Sequence, residues 1–567
     1  MYRFLKLLKQ PEGSSRRQIS GNVTREKWTK VVKESKKRSA SSVFSKRTHA
    51  AYKCTLESER MTNVLILFYN IILKNRYYPK RWEKILDVML SKGKGMIIGK
   101  LRTITLIEAD LQYIMRMFLN EGEEEMIEAD KRFSKANYGS RKNYSIETAL
   151  LEKRLVFDNS LMSCKKNIYH LTDLKSCYDR QLVNIGALIQ ESIGINKNAM
   201  QLMTKIIPRW KHYISTAFGI SDDYYGGEKN ELAGTGQGNK FSGDVCRDTS
   251  CLIIKDLERR NFGIEMKSKV TLKQELTSAI AFVDDTDLVA EGEDVENTMN
   301  QMLGEYDNLY AATGGHIEEI KSKYFAWQWK WKQGNKEIKD LKIKIELNNK
   351  EVKAVGSKES VRTLGVHMSP SLKWIIQFKQ MVEKMREAIH KLANTEIIAA
   401  TAHVYYNAYL IKKVYFGCGV LSLNPRQEQI LKDIYEPVIL RKLNLSERFP
   451  RKVLYMRNSA LGVGLMAPRT IVDVLALKLY VGHQRARSKV AKIIQINEDN
   501  ARMSYGYSAS IIETSRKWKP NNVIWSDEIQ EMLNRRQLKV MNRANEPKWI
   551  TKNKTIMDYV KMYVKMN

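Results

Sequence analysis

The stretch that most limits what this chain can fold into is Ser278 to Gly292, SAIAFVDDTDLVAEG. Two short apolar runs bracket Asp284 and Asp285, which is the pattern of a β-hairpin with an acidic turn. Asp287 adds a further carboxylate on the same segment. Carboxylates this close repel one another unless a cation stands between them. An Asp-Asp pair between strands is, on its own, more often a solvated turn than a working site, so the rest of the chain has to decide.

The chain is strongly basic, with 96 Lys and Arg against 63 Asp and Glu and a formal net charge of +33 over 567 residues. Such a surplus suits a polyanionic partner, because neutralising phosphates releases their condensed counterions. A membrane surface is the competing partner class. The basic residues are spread along the whole sequence, however, and no run of about 18 apolar residues is present to span a bilayer. The N-terminal MYRFLKLLKQ is amphipathic but lacks the cleavage pattern of a secretory signal. Cys54, Cys164, Cys177, Cys246, Cys251 and Cys418 form no C-x-x-C pair, and no histidine pair stands at zinc-ligand spacing. A zinc knuckle and a disulfide framework are therefore not expected, and a reducing intracellular compartment is the default.

Along the chain, residues 1–50 are rich in Ser, Lys and Arg and read as a mobile solvated tail, with a basic arm on nucleic acid as the alternative. MTNVLILFYNIILKNRYY has apolar residues on most faces and reads as a well-buried helix. A turn at Pro79, a strand through ILDVML and a Gly/Lys loop follow. NIYHLTDLKS reads as a strand with Asp173 near its end, LAGTGQGNKFSG as a Gly-rich loop, and VENTMNQMLGEYDNLYAATGG as an amphipathic helix stopping at Gly314. From KYFAWQWKWK the period becomes two, with QGNK as a hairpin turn and Trp327, Trp329 and Trp331 on one packed face. Beyond Trp374 the pattern is almost wholly helical. An α+β region followed by a helical one is the expected architecture.

Several of these segments carry a resemblance. FVDD at 282–285 resembles the x-x-Asp-Asp hairpin of reverse transcriptases, and LTDLKSCYDR is similar to the preceding palm motif of that family, in the style of non-LTR retrotransposons and group II introns. GTGQGNKFSG resembles the Gly-x-Pro-Gln-Gly loop between those motifs, and GGHIEEIKSK the later Gly followed by Lys. RTLGVHMSPSLKW resembles the Leu-Gly hairpin that grips the primer. PKRWEKILDVMLSKGKG and LRTITLIEAD resemble fingers segments, and YGSRKNYSIETALL the segment before the first palm motif. PRKVLYMRNSALGVGLMAP is similar to the region after the thumb. The fingers and palm segments fall in the family's order from Pro79 to Trp374.

The resemblance implies an α+β right-hand polymerase fold, with a basic extension at 1–50, fingers and palm over 51–370, and a helical thumb with C-terminal extension over 371–567. It implies RNA-directed DNA synthesis by a non-LTR-type element, on an RNA template, from a DNA primer or target, with dNTPs. Asp173, Asp284 and Asp285 would hold two Mg²⁺ ions, Mn²⁺ being able to substitute. Tyr178 matches the bulky position that excludes a 2′-hydroxyl, Gln237 and Gly238 the loop that meets nucleotide and template, and Lys92 and Arg102 the cations on the triphosphate. Lys321 matches a general acid beside the leaving group, with Lys323 close enough to leave the register open. Asp179, Arg180 and Asp287 read as structural neighbours. Gly236 stands where the family has Pro, which would loosen the loop; Thr103 and Phe282 are milder departures. An RNA-dependent RNA polymerase and an inactive, domesticated or maturase-like RNA-binding protein remain open alternatives.

Overall fold

Strand alternation sets the layers of this molecule, a computed structural model that describes residues 1–9, 19, 21–91, 101–120, 130–141, 144–228, 230–507, 510–512 and 523–538. In chain order the strands that matter here are β1 (Lys84–Ser91), β2 (Leu101–Leu106), β3 (Lys166–Thr172), β4 (Lys211–Thr216), β5 (Gly219–Gly226), β6 (Ile264–Lys267), β7 (Gln274–Thr277), β8 (Ala279–Phe282), β9 (Asp285–Glu291), β10 (Lys323–Lys332) and β11 (Asn335–Asp340). One sheet has the order β2-β1-β4-β5 and the central one β11-β10-β3-β9-β8, while β6 and β7 pair with each other. Helix accounts for 50% and strand for 17%, and the sheets are mixed, a mixed helix and strand architecture compatible with the expected α+β class.

The central sheet is covered on both faces. Ile168, Leu288, Ala290 and Tyr324 face one core, shared with the helices Lys240–Arg259 and Val295–Ala311. Tyr169, Val289, Phe325 and Trp327 face the other, shared with the helices Ile146–Ser163 and Lys489–Tyr505. Residues two apart along a strand take the same face, which is why neighbouring side chains enter different cores. Trp327 and Trp329 are buried as expected, but Trp331 is 64% exposed because β10 outruns its cover there.

The helical region has a core of its own, with Met381, Met385, Tyr406, Leu431 and Tyr435 at its centre. It does not stay apart. Tyr480, Ile493, Ile494 and Trp525 return to the central sheet and share the core of Phe157 and Trp327. A boundary at residue 370 thus separates only the middle of the helical part.

Two expectations need correction. The described part of residues 1–50 is no solvated tail: Thr24 caps the helix Arg25–Glu34, and Phe4, Trp28 and Val32 are buried. Trp28 packs on Tyr52, Tyr69 and Tyr113, so an apolar stripe hidden in a Lys-rich segment anchors it. The helix Glu59–Asn75 buries Tyr69, Ile72 and Leu73 but leaves Met61, Val64, Leu67, Phe68 and Ile71 exposed, because only one of its apolar faces meets the core. Among the described residues no helix is long and apolar enough to cross a membrane.

Candidate active site

β8 and β9 form the acidic hairpin, and the register Phe282↔Asp285 leaves Val283 and Asp284 as its turn. Val283 has φ +59°, a left-handed conformation that a β-branched residue adopts only under constraint. Asn137 supplies that constraint. The Val283 N–H donates to Asn137 Oδ1 at 2.9 Å and Asn137 Nδ2 donates to the Val283 carbonyl at 3.0 Å. The same segment runs alongside β8, with Tyr138 N–H on the Ala281 carbonyl at 2.8 Å and Ala281 N–H on Ala136 at 2.9 Å.

β3 pairs antiparallel with β9 up to Thr172↔Thr286, so the chain leaves β3 into Asp173 at the level of Asp285. The segment after Gly314 is laced to this exit: Ser322 Oγ accepts from Asp173 N–H at 3.1 Å, and Glu318 N–H donates to the Asp173 carbonyl at 2.8 Å. Gly314, at φ +88°, lets the backbone pass the Arg180 carbonyl, where a Cβ would come within 2.4 Å. Lys321 is thereby held with Nζ 3.9 Å from Asp173 Oδ1, both partners being open to solvent, at 63% and 45%.

The electrostatics record the crowding. Burial, then Asp284 and Asp287, push the Asp285 carboxyl up to about 6, with Lys153 opposing and Asp173 adding a little. Burial also raises Asp284, against its own backbone N–H and the Arg102 guanidinium. Tyr178 is pushed up to about 12 by burial and by Asp284, with Arg102 opposing. Arg102, Tyr178, Asp284 and Asp285 therefore share one neighbourhood, although they come from β2, the short helix Cys177–Arg180 after β3, and the β8–β9 hairpin. Lys92 lies outside the described residues.

The Gly-rich loop closes this neighbourhood. Thr235 N–H donates to the Tyr178 carbonyl at 2.8 Å, and the Gln237 carbonyl accepts from Thr105 on β2 at 2.7 Å. At Gly238, φ +122°, a Cβ would sit 2.9 Å from the Thr105 carbonyl. Gly236 does not loosen the loop. Its φ of +69° is closed to proline, and its carbonyl accepts from Asn239 Nδ2 at 3.1 Å and from Ser242 Oγ. Arg116, Ser140, Gly238, Lys240 and Asp244 line an open cavity of about 290 Å³ whose lining includes none of Asp173, Asp284 and Asp285.

Cys177 and Cys246 correct the cysteine reading: they are disulfide-bonded, linking the turn that carries Tyr178 to the helix that follows the Gly-rich loop. Both are buried, and the pairing is across 69 residues, a distance at which sequence spacing gives no signal.

The donor set fits a hard cation in its chemistry, being carboxylate oxygen throughout. Among the described residues, however, no group of three His, Cys, Asp or Glu side chains stands gathered as a ligand cluster. Sequence reasoning also missed residues here. Asn137 and Lys153 had no motif to mark them. Tyr310 has a buried hydroxyl that makes no hydrogen bond, and burial, then Tyr306 and Asp284, raise it well above its ordinary value.

A cationic cluster lies nearby. Burial, then Arg362 and Lys413, lower the Lys384 ammonium, and burial with Arg362 and Lys384 lowers His367. No protein-family model matches the chain, and no curated protein matches it.

Proposed function

We propose that the chain is an RNA-directed DNA polymerase of right-hand architecture, with the central sheet as palm, β1, β2, β4 and β5 as fingers, and the helices after Trp374 as thumb. One observation carries the reading. Asp173, Tyr178, Arg102, Asp284 and Asp285, picked from separate motifs, lie in one charge-coupled neighbourhood at the end of the β3–β9 pair.

Asp173, Asp284 and Asp285 would hold the Mg²⁺ ions, and Asp173, nearly half exposed, has room to turn toward them. The chemistry such ions would supply there is activation of a primer 3′-hydroxyl and stabilisation of the charge on the leaving pyrophosphate. Arg102 faces the same place and suits the triphosphate as a charge-assisted partner. Lys321 would meet the leaving group from the Asp173 side. The Tyr178 ring, braced by Thr235 at its carbonyl, would close the space beside the sugar's 2′-carbon. The Arg362, Lys384 and Lys413 cluster suits the phosphates of a template–primer duplex, which it would bind without reading bases.

The rival reading is a maturase-like RNA-binding protein without polymerisation, and the ungathered state of the carboxylates favours it. Extension of a DNA primer on an RNA template, run with dNTPs and with NTPs in parallel, separates the readings. Extension with dNTPs alone supports the proposal, extension with NTPs points to an RNA polymerase, and RNA binding without extension leaves the rival.

A further inference from the structure

Behind the aspartates lies a buried charge that the proposed chemistry does not use. Lys153, on the helix Ile146–Ser163, is 2% exposed, and its Nζ stands 2.6 Å from Asp287 Oδ2. Asp287 also accepts from the Tyr169 hydroxyl at 2.6 Å. It follows Asp285 by two residues on β9, so both carboxylates take the same face of the strand. The Lys153 ammonium donates a further hydrogen bond to Thr363 Oγ1, on the hairpin formed by Val361–Thr363 and Val366–Met368.

That hairpin hangs between two bodies. On the helical side, His367 N–H donates to Gln377 Oε1 at 2.9 Å, on the helix Ile375–Ala393. On the sheet side, Lys153 ties the hairpin's first strand to β9. The residue after its second strand is tied to β11, by Ser369 Oγ donating to the Ser357 carbonyl and Ser357 N–H donating to Asp340 Oδ1. A buried ammonium is costly unless paired, and a well-packed apolar side chain would do as well for stability alone. What an apolar side chain cannot do is bond both β9 and the hairpin with directed donors.

We propose that Lys153 is a positioning residue: it fastens the Val361–Met368 hairpin to the carboxylate-bearing strand and so fixes where a primer 3′ end lies relative to Asp285. The inference rests on the polymerase reading for what the hairpin holds, whereas the fastening stands on geometry alone.

Changing Lys153 or Asp287 would strand a buried charge and risk the fold, so the test is made on Thr363, using the full chain. Thr363→Val removes the hydroxyl with little change of shape, and Thr363→Ser keeps it. Two readouts are taken: hydrogen exchange of the hairpin amides, and the KM values for primer and for dNTP. The Val variant is expected to exchange faster in the hairpin and to raise the primer KM about tenfold, the effect of one charge-assisted hydrogen bond, with the dNTP KM unchanged. The Ser variant is expected to restore both. Wild-type exchange in the Val variant overturns the fastening. A uniform loss of kcat that the Ser variant does not rescue overturns the positioning role. A wild type that extends no primer, with faster exchange in the Val variant, overturns the polymerase reading and the primer's part in the proposal while the fastening holds.

Discussion

Asn137 grips Val283 by both backbone groups, accepting from its N–H at 2.9 Å and donating to its carbonyl at 3.0 Å across a sequence separation of 146. The turn that presents Asp284 is therefore held in its left-handed shape by a fully buried amide and not by its own sequence. Asn137→Ala leaves both groups without this partner, and the expected loss of stability is about 1–3 kcal/mol, read by chemical denaturation. Asn137→Asp keeps the acceptor but loses the donor and adds a charge beside Asp284, so it should be the worse variant for extension. Gly139→Ala should be severe, since its Cβ would come 2.3 Å from Val283 Cγ2.

Tyr178 is expected to act through its ring. Its hydroxyl, pushed up to about 12, stays protonated across the working range and cannot serve as a base there. Tyr178→Phe should keep discrimination against NTPs, while Tyr178→Ala should lose it, measured as the ratio of kcat/KM for dNTP and NTP. Gly238→Ala would press the loop off the Thr105 carbonyl and should raise the KM for both nucleotide types.

The cations around the Val361–Met368 hairpin should show themselves in salt. Burial first, and then the like charges of Arg362 and Lys413, lower Lys384, while Lys413 also pairs with Glu387 at 3.5 Å. A phosphate backbone would relieve the like-charge part. Each Ala substitution should weaken binding to duplexes of any sequence alike and reduce the slope of log affinity against log salt by about one. Sequence-dependent losses would contradict this.

His170, buried within β3, donates or accepts at Nδ1 with Thr172 Oγ1 at 2.9 Å and has no partner at Nε2. Burial pushes it down to about 4. A histidine lowered in the folded state costs stability as pH falls, because below about 6.5 the unfolded chain takes a proton that the fold refuses until about 4. The stability advantage of wild type over His170→Gln should thus shrink by about 2–3 kcal/mol between pH 7 and pH 4.5. A constant difference would show that the ring is charged or hydrated in the fold.

Much of the site could be read from the sequence because local chemistry writes it. Short apolar runs around Asp284 and Asp285 give β8 and β9, and the glycines at 236 and 238 mark positions whose φ only glycine takes easily. What could not be read are pairings between distant segments: Asn137 with Val283, Lys153 with Thr363, and Cys177 with Cys246. None has a spacing or a period. The N-terminal segment failed for a different reason. Averaged composition hid Trp28, Val31 and Val32, which at i, i+3 and i+4 make one apolar stripe on a helix. In the helix Glu59–Asn75 the opposite held, since apolar residues on most faces do not say which face the core covers.

In the proposed polymerase, Asp173, Asp284 and Asp285 work together on a primer end. The direct test is single-turnover extension of a DNA primer on RNA with dNTPs and Mg²⁺, comparing wild type with Asp173→Asn, Asp284→Asn and Asp285→Asn, with duplex affinity measured alongside. The account predicts Mg²⁺-dependent extension by wild type, a loss on the order of a thousandfold or more in each variant, and duplex binding at least as tight as wild type's. Extension that survives any of these substitutions, or wild type that binds RNA tightly and extends nothing, would contradict it.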